Sequence, residues 1–351
     1  MAKKEQLIVG VDVGSHAVKV CQLQQTNKGY RLLAVGNAAI PPGAVEDGVL
    51  NEPDEVGKAI TSLLKNLKIK ATKVGISISG YSVIVKKVRI ESMEDEELAE
   101  YIEAEAEQYI PFDIDDVYLD FQRLPSSGSG KHNDRMEVML VAAKKEVVDD
   151  YLDMLREQKL QPVLVDVDGF ALENIWQTVS PADSNVALVD IGASKMSINI
   201  IADGSSVLAR DIVVGSDQLT DQLAAVLDIE FEEAEQVKLG RVTLTDEQQG
   251  EVEDVFIRIC TQWILEIKKV IDLYSSNYPD KPLQDLVLSG GGSKVKGLVE
   301  FIEKEIGINV VCFNPFDSMM VNERKIDRNY LNSIAPELAI ATGLAIRPAI
   351  I

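Results

Sequence analysis

Two short stretches decide the fold: Val9-Gly-Val-Asp12-Val-Gly14-Ser15 and Val186-Ala-Leu-Val-Asp190-Ile-Gly192-Ala193-Ser194. Each is an apolar strand that ends in an Asp-x-Gly turn. After the first, Ala17 to Leu23 alternates as a second strand, Asn27-Lys-Gly29 turns the chain, and Tyr30 to Val35 returns. After the second, Met196 to Ile201, the Ala202-Asp-Gly204 turn and Ser206 to Val214 repeat the same meander. Aligning Asp12 on Asp190 matches Val11 with Val189, Val18 with Met196 and Val20 with Ile198. A supersecondary unit repeated in this way implies a two-lobed α/β protein formed by duplication.

Length and composition agree with that reading. The chain has 351 residues with 46% apolar and 26% charged, which at about 150 residues per domain suggests two ordinary globular domains. Its 35 basic and 57 acidic residues give a net charge of −22, which argues against nucleic acid and against direct binding to anionic lipid. No uncharged apolar run is long enough to span a bilayer, and the start leads straight into a strand instead of a secretory segment. Cys21, Cys260 and Cys312 fit no metal spacing, so a cytoplasmic protein with reduced thiols is expected.

Between the two meanders, Asn51-Glu-Pro53-Asp54 signals a helix whose Val56, Ile60, Leu63, Leu64 and Leu67 share a face. Val74 to Ser79 is a strand. Residues 83–161 read as a separate small unit with strands at Val83 to Ile90, Val117 to Leu124, Arg135 to Ala143 and Gln161 to Asp166. Helices at Met93 to Tyr109 and Lys145 to Gln158 complete a β-α-β-β-α-β order, and Ser126 to Gly130 forms a flexible hairpin loop. The domains are therefore a first lobe of residues 1–82 with 162–185 and 335–351, the inserted unit 83–161, and a second lobe 186–334. That second lobe is helical over about 216–284.

The paired turns carry the chemistry. Glycine at a strand-to-strand turn permits close backbone approach, so successive N–H groups of Gly14, Ser15, Gly192, Ala193 and Ser194 can face phosphate oxygens. Asp12 and Asp190 beside those turns can hold Mg²⁺ through water. Ser15 has a hydroxyl for a terminal phosphate, and Lys19 on the outgoing strand has the reach to neutralise a β-phosphate. Gly290, Gly291 and Gly292 end a strand before a helix and let a purine or an α-phosphate lie against the chain. A P-loop sequence does not occur.

In this order and spacing the motifs resemble the actin-like ATPase superfamily, which groups actin, chaperone ATPase domains, sugar kinases and the cell-division protein FtsA. The resemblance implies an actin-like fold, two ribonuclease-H-like lobes around a nucleotide cleft. It also implies connecting segments at about Val163 to Ile175 and Pro336 to Ala345, and an ATP cofactor contacted by Gly215, Glu235 and Lys238 as well. Glu235 and Lys238 are equally readable as a solvated ion pair. The insertion lies where FtsA carries its extra subdomain. Within it, Ala104-Glu-Ala-Glu-Gln-Tyr-Ile-Pro-Phe112-Asp-Ile-Asp-Asp-Val117 is closely similar to the PilM family of type IV pilus assembly. Leu164-Val-Asp-Val-Asp168-Gly-Phe-Ala-Leu172 and Ser289-Gly-Gly-Gly-Ser293 fit the same family. Where FtsA continues into an amphipathic membrane-targeting helix, this sequence stops after the second connection. The resemblance implies an adaptor that takes the cytoplasmic tail of an inner-membrane PilN protein, communicates with pilus motor ATPases and meets the membrane through partners. A sugar-type or acetate-kinase relative and an FtsA-like filament are the alternatives.

Hydrolysis further needs a group that positions water. Asp168, with Asp166 second, can fill that role or cap the helix that follows, so at most slow turnover is expected. Between Glu91 and Asp120 stand thirteen acidic residues and no basic one. Ser92 and Asp95 form a capping-box pattern before an apolar stripe of Leu98, Ile102, Ala106 and Tyr109. That acidic face suits a basic partner, with Ile110-Pro-Phe112 as an apolar anchor at its edge. His16 lies in the first turn and His132 in the hairpin, too far apart in sequence for a metal site, and Trp176 and Trp263 are read as core.

Overall fold

The computed structural model describes residues 7–124, 135–180 and 184–348. The Ser126 to Gly130 loop and His132 lie outside them. In chain order the first half contains β1 (Val9–Val13), β2 (Ala17–Thr26), β3 (Gly29–Ala39), the short pair β4 (Val45–Glu46) and β5 (Val49–Leu50), and helix α1 (Pro53–Asn66). Then come β6 (Lys73–Ile78), β7 (Val83–Glu91), α2 (Asp95–Glu105), β8 (Val117–Arg123), β9 (Arg135–Lys144), α3 (Lys145–Glu157), β10 (Gln161–Val167) and α4 (Asp168–Gln177). The second half has β11 (Val186–Ile191), β12 (Met196–Ala202), β13 (Ser205–Ile212), α5 (Asp217–Leu227), α6 (Phe231–Lys238) and α7 (Asp246–Asn277). It ends with β14 (Asp285–Ser289), α8 (Leu298–Ile306), β15 (Asn309–Cys312), α9 (Arg328–Ile334) and α10 (Ala339–Ala345).

The duplication is visible strand by strand. One five-stranded sheet has the order β10-β6-β1-β2-β3, the other β15-β14-β11-β12-β13, and corresponding pairs run in the same sense. Val11 pairs with Val20 in the first meander and Val189 with Ile198 in the second. Strands β1 and β11 are central and apolar because helices cover both faces of each sheet.

The helices follow from amphipathic spacing and local signals. In α1, Pro53 opens the first turn and Val56, Ile60, Leu63 and Leu64 are buried. In α7, Thr245 and Gln248 form a reciprocal capping box, and Trp263 lies at the centre of the second lobe's core, as read. Trp176 packs edge-on against Phe313 with ring centroids 5.6 Å apart.

The inserted unit departs from expectation. Among the described residues its sheet holds only β7-β9-β8, and Gln161 to Asp166, expected as its last strand, pairs with β6 of the first lobe. Helix α3 likewise buries Val147, Tyr151, Met154 and Leu155 in the first lobe's core. The reason is that β6, α3 and β10 form an ordinary β-α-β crossover that matches β14, α8 and β15, and the small sheet interrupts it. Helix α2 begins at Asp95 with Glu94 in the cap position and no side-chain cap, so the Ser92–Asp95 capping box does not form. Leu98, Ile102 and Ala106 are buried as the stripe requires. Ile110 is only 4% exposed within that same core and is no anchor for a partner, while Phe112 lies under the Lys144 ammonium at 5.1 Å.

The lobes are joined through α4 and α10, which cross so closely that a Cβ on Gly343 would stand 1.8 Å from the Ala171 carbonyl oxygen. Gly10 admits α10 against β1 in the same way, its Cβ position lying 1.9 Å from the Ala341 oxygen. We expect Gly343→Val to cost at least about 3 kcal/mol in urea unfolding or to abolish soluble folding. Gly250→Ala, at an exposed and open position of α7, should stabilise by roughly 0.5–1 kcal/mol. A Gly343→Val chain of parental stability would contradict the crossing.

Candidate functional site

The two Asp-x-Gly turns meet across the interior. In each, the glycine N–H donates to the carbonyl three residues on, Gly14 to Ala17 at 3.1 Å and Gly192 to Lys195 at 2.8 Å, so both loops are tight. The Ser15 hydroxyl donates to Ser194 Oγ at 2.9 Å, a bond between residues 179 apart in sequence. Around this contact is a cavity of about 350 Å³ lined by both lobes.

Asp12, Asp168 and Asp190 are among the carboxylates that line that cavity, with Asp217, Glu235 and Glu337. Lys19 Nζ donates to Asp12 Oδ2 at 3.0 Å, and Lys195 Nζ to Asp168 Oδ2 at 2.9 Å. Asp190 accepts only from the Ser289 hydroxyl, at 3.0 Å, among the described residues. Burial, reinforced by the Asp12 charge, pushes the Asp190 carboxyl up to about 7. Burial also raises Asp12 despite the Lys19 ammonium. At Asp168 burial acts the same way but Lys195 and serine hydroxyls outweigh it, holding the group below the usual carboxylate range. Lys19 is disfavoured by burial, yet Asp12, Asp190 and Glu337 raise its pKa. Asp12 and Asp190 thus form a buried, undercompensated anionic pair whose donor set fits a hard cation. Among the described residues no three His, Cys, Asp or Glu converge as a direct ligand cage.

The far wall is polar and fixed. The Lys238 ammonium, buried, contacts Glu235 and donates to Thr220 Oγ1 at 2.8 Å and Ser216 Oγ at 3.4 Å. The pair is therefore enclosed and faces the cavity, which excludes the solvated reading. Opposite, Gly290 has φ +81°, and a Cβ there would meet the Ile191 oxygen at 2.3 Å. Its N–H donates to the Pro336 oxygen at 2.9 Å, while Glu337 accepts from Asn37 of β3 at 2.9 Å and from Lys294.

Of the residues singled out in the sequence, Asp12, Gly14, Ser15, Lys19, Asp168, Asp190, Gly192, Ala193, Ser194, Glu235, Lys238, Gly290 and Gly291 line the cavity. Gly215 and Gly292 lie behind it instead: a Cβ on Gly215 would be 2.1 Å from the Ala193 oxygen, one on Gly292 2.4 Å from Ile191 Cγ2. Both let the second turn seat on its support. Asp168 does not cap α4, whose cap position is Val167; its carboxylate turns into the site and accepts from Ser79 at 2.5 Å. Asp166 points elsewhere, to the Val167 N–H at 2.9 Å.

Sequence reasoning missed Lys195, Ser77, Ser79, Lys294 and Glu337, all of which line the cavity. A signal existed for two of them: Ser77 and Ser79 alternate with Ile76 and Ile78 and so mark one face of β6 and its end as polar. Glu337 and Lys294 become partners only through the meeting of two distant helical turns, which no local pattern encodes.

The raised Asp190 carboxyl fixes a pH dependence. Between 3.8 and about 7 the folded chain holds a proton that the unfolded chain has released, so this group's contribution to stability falls as pH rises through that window. Asp190→Asn should therefore unfold at higher urea than the parent at pH 8, by on the order of 1–3 kcal/mol, and at nearly the same urea near pH 4. Glu173, pushed to about 7 by burial, titrates in both proteins and cancels in the difference. Equal stability at pH 8 would contradict an undercompensated buried carboxylate.

Comparison with known proteins places this geometry. The family model for type IV pilus assembly protein PilM matches residues 10–349. FtsA of Bacillus subtilis (strain 168) is 21% identical over 378 residues, covering 97% of this chain and 82% of its own. FtsA of Streptococcus pneumoniae serotype 2 is 22% identical over 362 residues, covering 89% and 76%. Among solved structures, a PilM-PilN type IV pilus biogenesis complex superposes with a TM-score of 0.86 at 26% identity, covering 99% of this chain and 100% of that one. EutJ from Carboxydothermus hydrogenoformans (TM-score 0.58, 17% identity, 97% and 89% covered) shares the fold. So does MreB5 of Spiroplasma citri bound to ADP (TM-score 0.53, 10% identity, 98% and 96% covered). With an actin-like fold and a match that runs over nearly its whole length, the chain belongs to the PilM family of type IV pilus assembly proteins.

Proposed function

We propose that this protein is a nucleotide-dependent adaptor that binds Mg·ATP between its lobes and docks the cytoplasmic tail of a PilN-type inner-membrane protein. The observation that carries the nucleotide half is the Ser15–Ser194 bond, which brings two glycine turns, one from each copy of the duplication, to one point of a cavity lined by both lobes. Backbone N–H groups of Ser15, Ala193 and Ser194 would hold the phosphates, with Gly14 and Gly192, whose own N–H groups close the two turns, allowing close approach and Lys19 neutralising the charge. Gly290 and Gly291 leave room for the purine, and Glu235 and Lys238 hold the ribose side. Asp12 and Asp190 would carry Mg²⁺ through its water shell, and the ion would supply charge neutralisation to the polyphosphate.

Asp168 is committed. One of its oxygens already receives the Ser79 hydroxyl and the Lys195 ammonium, and its pKa lies below the ordinary range. A general base works best with a pKa near the working pH, so this arrangement favours binding and release over fast turnover.

The partner half rests on family membership and on the PilM-PilN neighbour. We assign the tail to the first lobe beside the inserted sheet. The thirteen acidic residues between Glu91 and Asp120 there would speed the arrival of a basic segment. Recruitment to the inner-membrane face and coupling to the pilus motor ATPases would follow through this partner; no helix among the described residues is long and apolar enough to cross a membrane. Family membership favours this adaptor over a sugar-type kinase or a filament.

Calorimetry tests the clamp: Asp12→Ala and Gly192→Val should each weaken ATP binding at least about 100-fold, and unchanged affinity in both would sink it. A synthetic PilN-type tail should bind the full chain with a micromolar dissociation constant that weakens with added salt. No detectable binding of the tail would return the reading to a kinase.

A further inference from the structure

The nucleotide cavity and the stem of the inserted unit are joined by a short polar chain. It begins at Lys195, in the second Asp-x-Gly turn, whose ammonium holds Asp168 at 2.9 Å. Asp168 in turn accepts from the Ser79 hydroxyl at 2.5 Å. The next residue, Gly80, donates its backbone N–H to Asp211 Oδ2 on β13 at 2.7 Å, and the other Asp211 oxygen accepts from Ser197 Oγ at 2.6 Å. Ser197 lies two residues beyond Lys195. The path therefore closes into a ring through both lobes.

Gly80 is the place where the first lobe hands the chain to the inserted sheet. It stands between β6 and β7, has φ +86°, and is wedged so that a Cβ would lie 2.7 Å from the Asp47 oxygen. Its carbonyl accepts from Val83 N–H, the first residue of β7, at 3.1 Å. A residue held in the left-handed region between two packed strands has few ways to move, so fixing its N–H fixes the direction in which β7 leaves. Strand β7 also rests on the second lobe, where Lys87 reaches the Tyr278 ring at 5.9 Å from its centroid.

We propose that Asp211 is a positioning residue that transmits the state of the nucleotide cavity to the inserted subdomain by latching Gly80. The inference rests on the nucleotide reading above and deepens it into regulation of that site. Lys195 is the sender. Burial disfavours its charge, but Asp168 and Asp211 together raise its pKa, so its ammonium is shared between the cavity and the latch. Lys195 can answer a phosphate only by loosening its grip on Asp168 and its field on Asp211. Either change reaches Ser79 and Gly80, which are adjacent in the chain. Asp211 itself does not line the cavity, so its loss should silence the relay without emptying the site. A hydrogen bond to a charged acceptor is strong enough for this, and its removal shifts a local opening equilibrium about tenfold.

Amide hydrogen exchange on the full chain tests the latch directly. Without nucleotide, Asp211→Ala should raise exchange across Gly80 to Glu91 about tenfold and leave β11 and β14 unchanged; Asp211→Glu should restore part of the protection. With a non-hydrolysable ATP analogue and Mg²⁺, the parent should change its exchange over the same segment. Asp211→Ala should bind the analogue within about threefold of the parent by calorimetry yet lose that response. Unchanged exchange in nucleotide-free Asp211→Ala overturns the latch, and a full nucleotide response in that variant overturns the relay. A parent that binds the analogue without any response at β7 also overturns the relay. Failure of the parent to bind the analogue refutes the nucleotide reading instead, and the nucleotide-free comparison still decides the latch.

Discussion

The structure depends on one crossing. Helices α4 and α10 pass at backbone contact, Gly343 against the Ala171 carbonyl, and α10 also presses its backbone onto Gly10 of β1. Side chains at those points would wedge the lobes apart. Because the backbones touch, the core around Leu172, Ile175, Leu338, Ala341 and Leu344 is shared by both halves. The loops at the ends of β1 and β11 are thus brought to one place, and a site divided between two lobes becomes possible. Close packing of this kind has few intermediate arrangements, so lobe movements are expected to be discrete.

Charge in the cavity is arranged against its own stability. Among the described residues, Asp12, Asp168 and Asp190 face two direct ammonium partners, Lys19 and Lys195, and Asp190 has only a serine hydroxyl. Functional sites commonly keep such perturbed groups at a cost to the fold. The net charge of −22 is a separate matter: most of the acidic residues are solvated, and the block on the inserted unit concerns encounter, not chemistry.

Much of this was legible in the sequence because duplication leaves a local trace. The Asp12 and Asp190 turns and the glycine run at Gly290 could be read from patterns within a few residues of each other, and the two connecting segments followed from the resemblance those patterns carry. What escaped was decided by packing. Residues 161–166 have the character of a strand in either sheet, and only the crossover logic of β6, α3 and β10 assigns them to the first lobe. Ser92 and Asp95 carry a valid capping signal, yet the helix starts later, at Asp95. Ile110 reads as an apolar anchor at the edge of the acidic face, whereas the small sheet takes it inside. Lys195 gave no local cue to its role; its partner at Asp168 is 27 residues away in sequence.

The inserted sheet enters at Val83 and leaves at Lys144, and those ends are neighbours, since Val83 pairs with Ala143. It is therefore a bulb on a narrow neck, set into a loop of a complete crossover. Such an element can be acquired, replaced or exchanged between lineages without disturbing the order in which the parent lobe's strands are laid down. Descent can then diversify what the protein recognises while the ancient duplicated body is inherited intact.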